Sequence, residues 1–294
     1  MIENSVAQKV NVTSFSQRFK IYRQDPLSLL LLFLVNFGSL LTISVLIFLI
    51  GFILIKGIPH ITPQLFELQY NTQNVSLFPA LIYTLAIVFL SLLIAVPLGV
   101  FSAIYLTEYA KRGSKLVKLV RLTAETLSGI PSIVYGLFGM LFFVIALKWG
   151  YSLLSGAFTL AIMILPLIMR TTEEALRAVP DSYREGSYGL GAGKMRTVFK
   201  IVLPSAMPGI LAGIILSIGR IVGETAALLY TAGSVAKIPT GLMDSGRTLA
   251  VHMYALSTEG IYVDQAYATA VILIVVVIII NWISSFLARK LTKG

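Results

Sequence analysis

The sequence predicts an all-α, polytopic membrane protein with six transmembrane helices and both termini on the cytoplasmic side. Three observations point there. Of the 294 residues, 57% are hydrophobic and only 12% charged, where a soluble domain carries roughly 25% charged residues. The apolar residues gather in runs long enough to cross a bilayer, which takes about 20 residues of helix. The basic residues fall almost entirely on one side of those runs.

In order, residues 1–26 are a polar, basic segment holding Lys9, Arg18, Lys20 and Arg23, with Asp25 and Pro26 marking a turn. The apolar run 27–55 is longer than a signal-peptide core, starts late and has no small-residue cleavage pattern after it, so it reads as a retained first span. Its length predicts tilt or an extension beyond the membrane. Residues 56–78, with Pro59, Pro63 and Asn71–Asn74, form the first external loop. The region 79–287 contains the other five spans, over 79–105, 124–147, 153–169, 206–232 and 267–287, before a tail at 288–294. Pro97 lies in the inner half of span two and Pro131 inside span three, both placed where a helix must flex or free a backbone carbonyl; they are the candidate gating residues. Lys148 and Trp149 make an interfacial anchor. Between spans five and six, Leu249, Met253 and Leu256 share one face of an external helix ending at Glu259 and Gly260, with His252 as an interfacial side chain.

Four basic residues (Lys56, Lys148, Lys237, Arg247) fall on one side and one, Arg220, inside a span; the other 18 of the 23 lie on the opposite side. That asymmetry makes the basic side cytoplasmic. It also accounts for the formal charge of +10 by topology, so nucleic-acid binding is not needed. There are no cysteines and two histidines, His60 and His252, which argues against thiolate chemistry and a histidine metal centre.

The hydrophilic loop 170–204 is the most informative stretch. Ser182 and Glu185 have the spacing of a capping box, which predicts a short helix from near Tyr183. Gly191 and Gly193 allow a left-handed helix end, and Met195, Val198, Phe199 and Val202 recur at helical spacing. Two short helices hinged at glycine, with Arg184, Lys194, Arg196 and Lys200, make a surface for a soluble partner to grip. This loop resembles the cytoplasmic signature of ABC importer permeases: Glu-Ala-Ala, three residues, Gly, nine residues, Ile-x-Leu-Pro. Glu185, Gly191, Ile201, Leu203 and Pro204 are in register; Gly186 and Ser187 stand where the pattern has alanines. The resemblance implies that these seven residues couple the chain to an ATPase.

Arg220 sits deep in span five, too far from either end to snorkel, and Glu224 follows four residues later on the same helical face. One reading is a self-neutralising pair that holds helices together. The other is a guanidinium fork presented to a passing oxyanion, with Glu224 as its counter-ion. Gly209, Gly213, Gly219 and Gly223 give two Gly-x-x-x-Gly spacings suited to close helix packing. The stretch 218–233, with Gly223-Glu224-Thr225-Ala226, resembles the fifth-span signature of the phosphate-specific ABC importer, the A permease subunit more than the C subunit. The stretch 127–139 resembles its third-span segment.

This resemblance implies the type I ABC importer permease fold in a bacterial inner membrane and surrounding lipid. It also implies a second homologous permease subunit, two copies of an ATP-binding subunit and an extracytoplasmic phosphate-binding protein. The chain lacks the Gly-x-x-x-x-Gly-Lys-[Ser/Thr] loop, so ATP and Mg²⁺ are expected on the partner ATPase and no cofactor here. A permease for another oxyanion is the alternative, and an ion-coupled secondary carrier is a more distant one, since neither inverted repeats nor paired midplane breaks are visible. A membrane-embedded enzyme lacks a catalytic constellation.

Overall fold

The computed structural model describes residues 26–111 and 113–292, and every regular element among them is helical. Most of the basic N-terminal segment, together with Arg112 and Lys293, lies outside these residues. Five helices are long and apolar enough to cross a membrane, and a bent pair supplies a sixth crossing if its two arms act as one span.

Residues up to Ile55 and residues from Lys56 onward are two separate units. Among the described residues the first consists of helix α1, Pro26–Gly57, a little longer than predicted and about 48 Å long at 1.5 Å per residue. Its apolar side chains are exposed on every face, as lipid requires. Its polar residues fold back on their own backbone: Asn36 donates to the Leu32 carbonyl, Ser39 to Val35 and Thr42 to Gly38. These bonds satisfy three side-chain donors that lipid cannot.

The second unit is built on α5, Leu153–Ala178. It packs against α2 (Phe78–Ile104, prolonged by a π-helical turn Tyr105–Tyr109) and α8 (Leu203–Val222), while α11 (Val263–Thr292) packs on α8. Tyr83, Ile87, Leu160, Met163, Ile164 and Ile168 are fully buried at the centre. Lipid is as apolar as leucine, so van der Waals fit rather than hydrophobic transfer holds such helices together. Gly99 meets this demand, since a Cβ there would stand 2.8 Å from Ile168 Cγ2. Gly209 and Gly213 do the same for α8, with a Cβ on Gly209 falling 2.7 Å from Ala175 Cβ. Gly219 has open space around it and Gly223 meets only the Gly219 carbonyl, so the second Gly-x-x-x-Gly pair packs no helix among the described residues.

Three span predictions need correction. Span three is two helices, α3 (Lys115–Ser128) and α4 (Ser132–Gly139, with a π-helical continuation Met140–Ala146), meeting at 102°. Pro131 excludes helical backbone at Ile130 and begins α4 instead of kinking one helix. The Leu127 carbonyl at the break accepts the Ile130 N–H at 3.1 Å and also the Tyr135 hydroxyl at 2.7 Å. Span four does not stop at residue 169, because α5 runs through Pro166 to Ala178. Its polar end is held by Arg170–Glu174 and by Glu173, which takes both Arg121 (2.7 Å) and Arg177. Span five ends at Val222, not residue 232; after Gly223 comes only the single turn α9, Ala226–Leu229.

The layer at the end opposite the 170–204 loop is well tied. Asn74 donates to Glu67 (2.6 Å), and Tyr262 donates to the Thr72 carbonyl (3.0 Å). Helix α10, Leu249–Glu259, is capped by Thr248 and stopped by Gly260 at φ +72°. It buries Leu249 and Leu256, and its Leu249 N–H donates to Thr84 Oγ1 on α2. His252 is not interfacial. It is fully buried, edge-on to the Tyr70 ring, on whose face the Arg247 guanidinium lies at 4.6 Å. Burial, and then the Arg247 charge, push its pKa down to about 3. The fold therefore holds His252 neutral while the unfolded chain protonates near 6.5. Its contribution to stability is present above about pH 6.5 and is lost as pH falls toward 3. Thermal unfolding against pH should show this slope in the native protein and a flatter one in His252→Leu; equal slopes would mean that another group sets the acid limit.

Candidate coupling and permeation sites

The loop forms α6, Asp181–Gly189, and α7, Lys194–Thr197, which passes through a π-helical turn Val198–Val202 into α8. The expected capping box is absent. Helix α6 starts two residues earlier, after Pro180, and no side chain caps it; proline already fixes the entry and has no N–H to satisfy. Gly191 lies at φ +80° with nothing within 4 Å of where a Cβ would be. The two short helices are clasped by a buried bond between Ser187 and Thr197 hydroxyls, 2.8 Å apart. The serine that departs from the alanine pattern thus supplies a hydrogen bond that alanine lacks.

Arg184, read from sequence as part of a surface for a partner, points inward. Its Nη2 reaches Glu108 Oε1 at 2.7 Å and the Leu176 carbonyl at 2.9 Å, and its Nη1 reaches the Val179 carbonyl at 2.9 Å. The Glu108 carboxylate raises the already high pKa of this guanidinium. The 181–197 loop is therefore bolted to the ends of α2 and α5. Its free surface comprises Glu185 and Gly186 with Tyr183, Tyr188, Met195 and Leu190, the last 91% exposed. Ile201 and Leu203 are half-buried where the π-turn enters α8, and Pro204 opens that helix. Sequence reasoning missed Leu190, although an apolar residue between two glycines in a polar loop is a readable signal.

Arg220 and Glu224 do not form the helical pair expected of them. The helix breaks at Gly223, and Glu224 instead accepts the Ala227 N–H at 3.0 Å, capping α9 from a buried position. The Arg220 guanidinium, half-buried in the last turn of α8, makes no hydrogen bond or ion pair within the described residues. It opens on a cleft of about 630 Å³ walled by Leu167, Ala212, Leu216, Gly219 and Asn281. The open space at Gly219 is part of this room. Asn281, whose Oδ1 is buried without a partner, went unremarked in the sequence, although a lone amide in an apolar span is unusual. Pro97 lies on the exposed side of an uninterrupted α2, and Pro131 at the α3–α4 corner; neither touches the cleft.

Residues 95–293 match the family described as binding-protein-dependent transport system inner membrane component. The chain belongs to this family of ABC transporter permeases. It is 34% identical over 278 residues to the probable ABC transporter permease protein YqgI of Bacillus subtilis, covering 85% of this chain and 92% of that one. It is also 34% identical over 271 residues to the phosphate transport system permease protein PstA of Pasteurella multocida (88% and 92% covered). Among solved structures, a bacterial alginate importer aligns with TM-score 0.66 at 17% identity over 94% of this chain and 99% of that one. The MetNI methionine transporter aligns with TM-score 0.57 at 22% identity over 74% and 94%. These likenesses show the importer permease fold.

In a permease the Gly191 turn aims α6 and α7. A β-branched residue at positive φ is strained by roughly 1–3 kcal/mol, and here there is no steric clash to add. Gly191→Val is expected to insert at a normal level yet lose most transport, while Gly191→Asn, tolerant of that φ, keeps it. Uptake by Gly191→Val at the native rate would remove the turn from the coupling path.

Proposed function

We propose that this permease is the A-type membrane subunit of an ATP-driven importer of inorganic phosphate. One observation carries the reading: a half-buried guanidinium, Arg220, lacks any acceptor from the described residues and faces a cleft whose other walls are mostly apolar. An unpaired cation inside a membrane protein is costly unless it serves a ligand, and a planar fork suits a tetrahedral oxyanion. Relatives named as phosphate permeases from Pasteurella multocida and Mycobacterium tuberculosis support the choice of phosphate.

In this reading a second, homologous permease completes the pathway, and two ATP-binding subunits dock on the surface around Leu190 and Glu185. Those subunits hold ATP and Mg²⁺, and an external binding protein delivers phosphate. The basic side is cytoplasmic, with both termini there. Pro131 is the gating corner, since rotation of α4 about it changes the span without breaking a helix.

The test is co-reconstitution with these partners. ATP hydrolysis should rise with phosphate-loaded binding protein and stay at its basal rate with sulfate or molybdate. Stimulation by another oxyanion alone would replace phosphate as the substrate; hydrolysis indifferent to any binding protein would overturn import.

A further inference from the structure

A second cationic cavity lies far from Arg220 along the sequence, between the end of α2, helix α3 and the coupling helices. It has a volume of about 570 Å³. Its walls carry Lys111, Lys118, Arg121, Arg177, Arg184 and Lys194 against the carboxylates of Glu108 and Asp181. The arginines are accounted for: Arg184 takes Glu108 and Asp181, and Arg121 and Arg177 share Glu173. None of the three lysines makes an ion pair among the described residues; Lys194 only overhangs the Tyr109 ring at 5.1 Å. Two further polar atoms of lining residues, Thr107 Oγ1 and Arg121 Nε, are buried without hydrogen-bond partners. Like charges converging on one concave space repel unless an anion joins them.

We infer that this cavity is a binding site for a phosphate group, held between Lys118 of α3 and Lys194 of α7. Such a ligand bridges the first turn of α3 to the coupling element, so its occupancy sets how stiffly the element is mounted. Two sources have this chemistry on the basic side of a membrane: the headgroup of an anionic phospholipid and free inorganic phosphate. The lipid is within reach, because α3 leaves Leu116, Leu119 and Leu122 exposed on one face beside its lysines, the pattern of a helix lying on a bilayer surface. The inference is independent of the cargo assigned to Arg220.

The experiment measures thermal unfolding of the full chain in phosphatidylcholine nanodiscs, with inorganic phosphate added in one arm and phosphatidylglycerol substituted into the disc in another. The native chain and Arg220→Gln should both be stabilised in at least one arm. The double variant Lys118→Gln/Lys194→Gln should respond with affinity weaker on the order of tenfold or more, each lysine near a surface being worth about a factor of five. Should that variant fail to fold, Lys111→Gln, in an exposed turn, reads the same loss at smaller amplitude. Stabilisation by phosphatidylglycerol alone assigns the lipid, and by soluble phosphate alone the free anion. No stabilisation in either arm, or a lysine variant responding as fully as the native chain, overturns the site. A soluble-phosphate response that disappears in Arg220→Gln while surviving in the lysine variants returns the binding to the Arg220 cleft.

Discussion

Arg220→Lys is expected to lower phosphate uptake about tenfold or more while the protein stays at its normal level in the membrane. The guanidinium makes no bond to the described protein residues, so replacing it leaves no orphaned partner. Lysine keeps the charge but not the two-pronged donor, and one charge-assisted hydrogen bond is worth roughly 1.5–3 kcal/mol. Arg220→Gln should be worse, having lost the charge as well. Glu224→Gln tests its neighbour separately, because the amide oxygen can still accept from Ala227 N–H while the negative charge is gone. Uptake should change without loss of the α9 turn. Abundance and uptake of the two glutamine variants and their combination form a cycle that isolates the coupling. If Arg220→Gln were scarce in the membrane and Glu224→Gln restored both abundance and uptake, the pair would be a structural salt bridge and the transport role would fall.

The spans were legible because lipid leaves only one solution: apolar runs become helices. Where those helices end is set by something hydropathy does not record. Residues 170–178 look like loop by polarity, yet they are helix because Arg170, Arg177 and Arg121 find Glu174 and Glu173 on adjacent turns and a neighbouring helix. Conversely, residues 223–232 are apolar enough for a span but leave it at Gly223, where the buried Glu224 carboxylate caps a new turn. Pro131 was visible as a disturbance, but whether a proline kinks a helix or begins one depends on its neighbours. Gly129 and Ile130 decide here, one lacking a side chain and the other barred from helical backbone.

The site was readable where geometry is local. Gly191 must turn the chain, and its φ of +80° needs no tertiary information. Spacing failed for pairs that depend on distance through space. Arg220 and Glu224 are four apart, which puts them on one face only if the helix continues, and it does not. Gly209 and Gly213 face Ala175 and Thr171 of α5, whereas Gly219 faces the cleft; identical spacing, different neighbours. Asn281 and Glu108 lie 61 and 76 residues from Arg220 and Arg184 respectively in the sequence, so their shared surroundings arise only on folding.

Glu108→Gln is expected to be the most destabilising single change in the coupling region, by about 3–5 kcal/mol. Both members of the Glu108–Arg184 pair are largely buried, at 6% and 14% side-chain exposure. Removing the carboxylate leaves a largely buried guanidinium whose one remaining counter-charge is the solvent-screened Asp181 carboxylate, which is close to the costly way of breaking a buried ion pair. The loss should appear as a lower unfolding temperature and as ATPase activity less well driven by substrate, since a neutral amide oxygen would hold Arg184, and with it α6, more weakly on α2 than the carboxylate does. Combining it with Arg184→Gln removes the stranded charge and should recover part of the stability. It cannot recover all, because Arg184 also satisfies the Leu176 and Val179 carbonyls at the end of α5, and those acceptors are then left to water. Asp181→Asn is the contrasting case. Its carboxylate also bonds Arg184, at 3.2 Å, but is 74% exposed, and a solvent-screened pair contributes about 1 kcal/mol at most. A ranking in which Asp181→Asn matched Glu108→Gln, or a double variant as stable as the native chain, would show that Arg184 is an ordinary surface charge and that the coupling element is held by its apolar contacts alone.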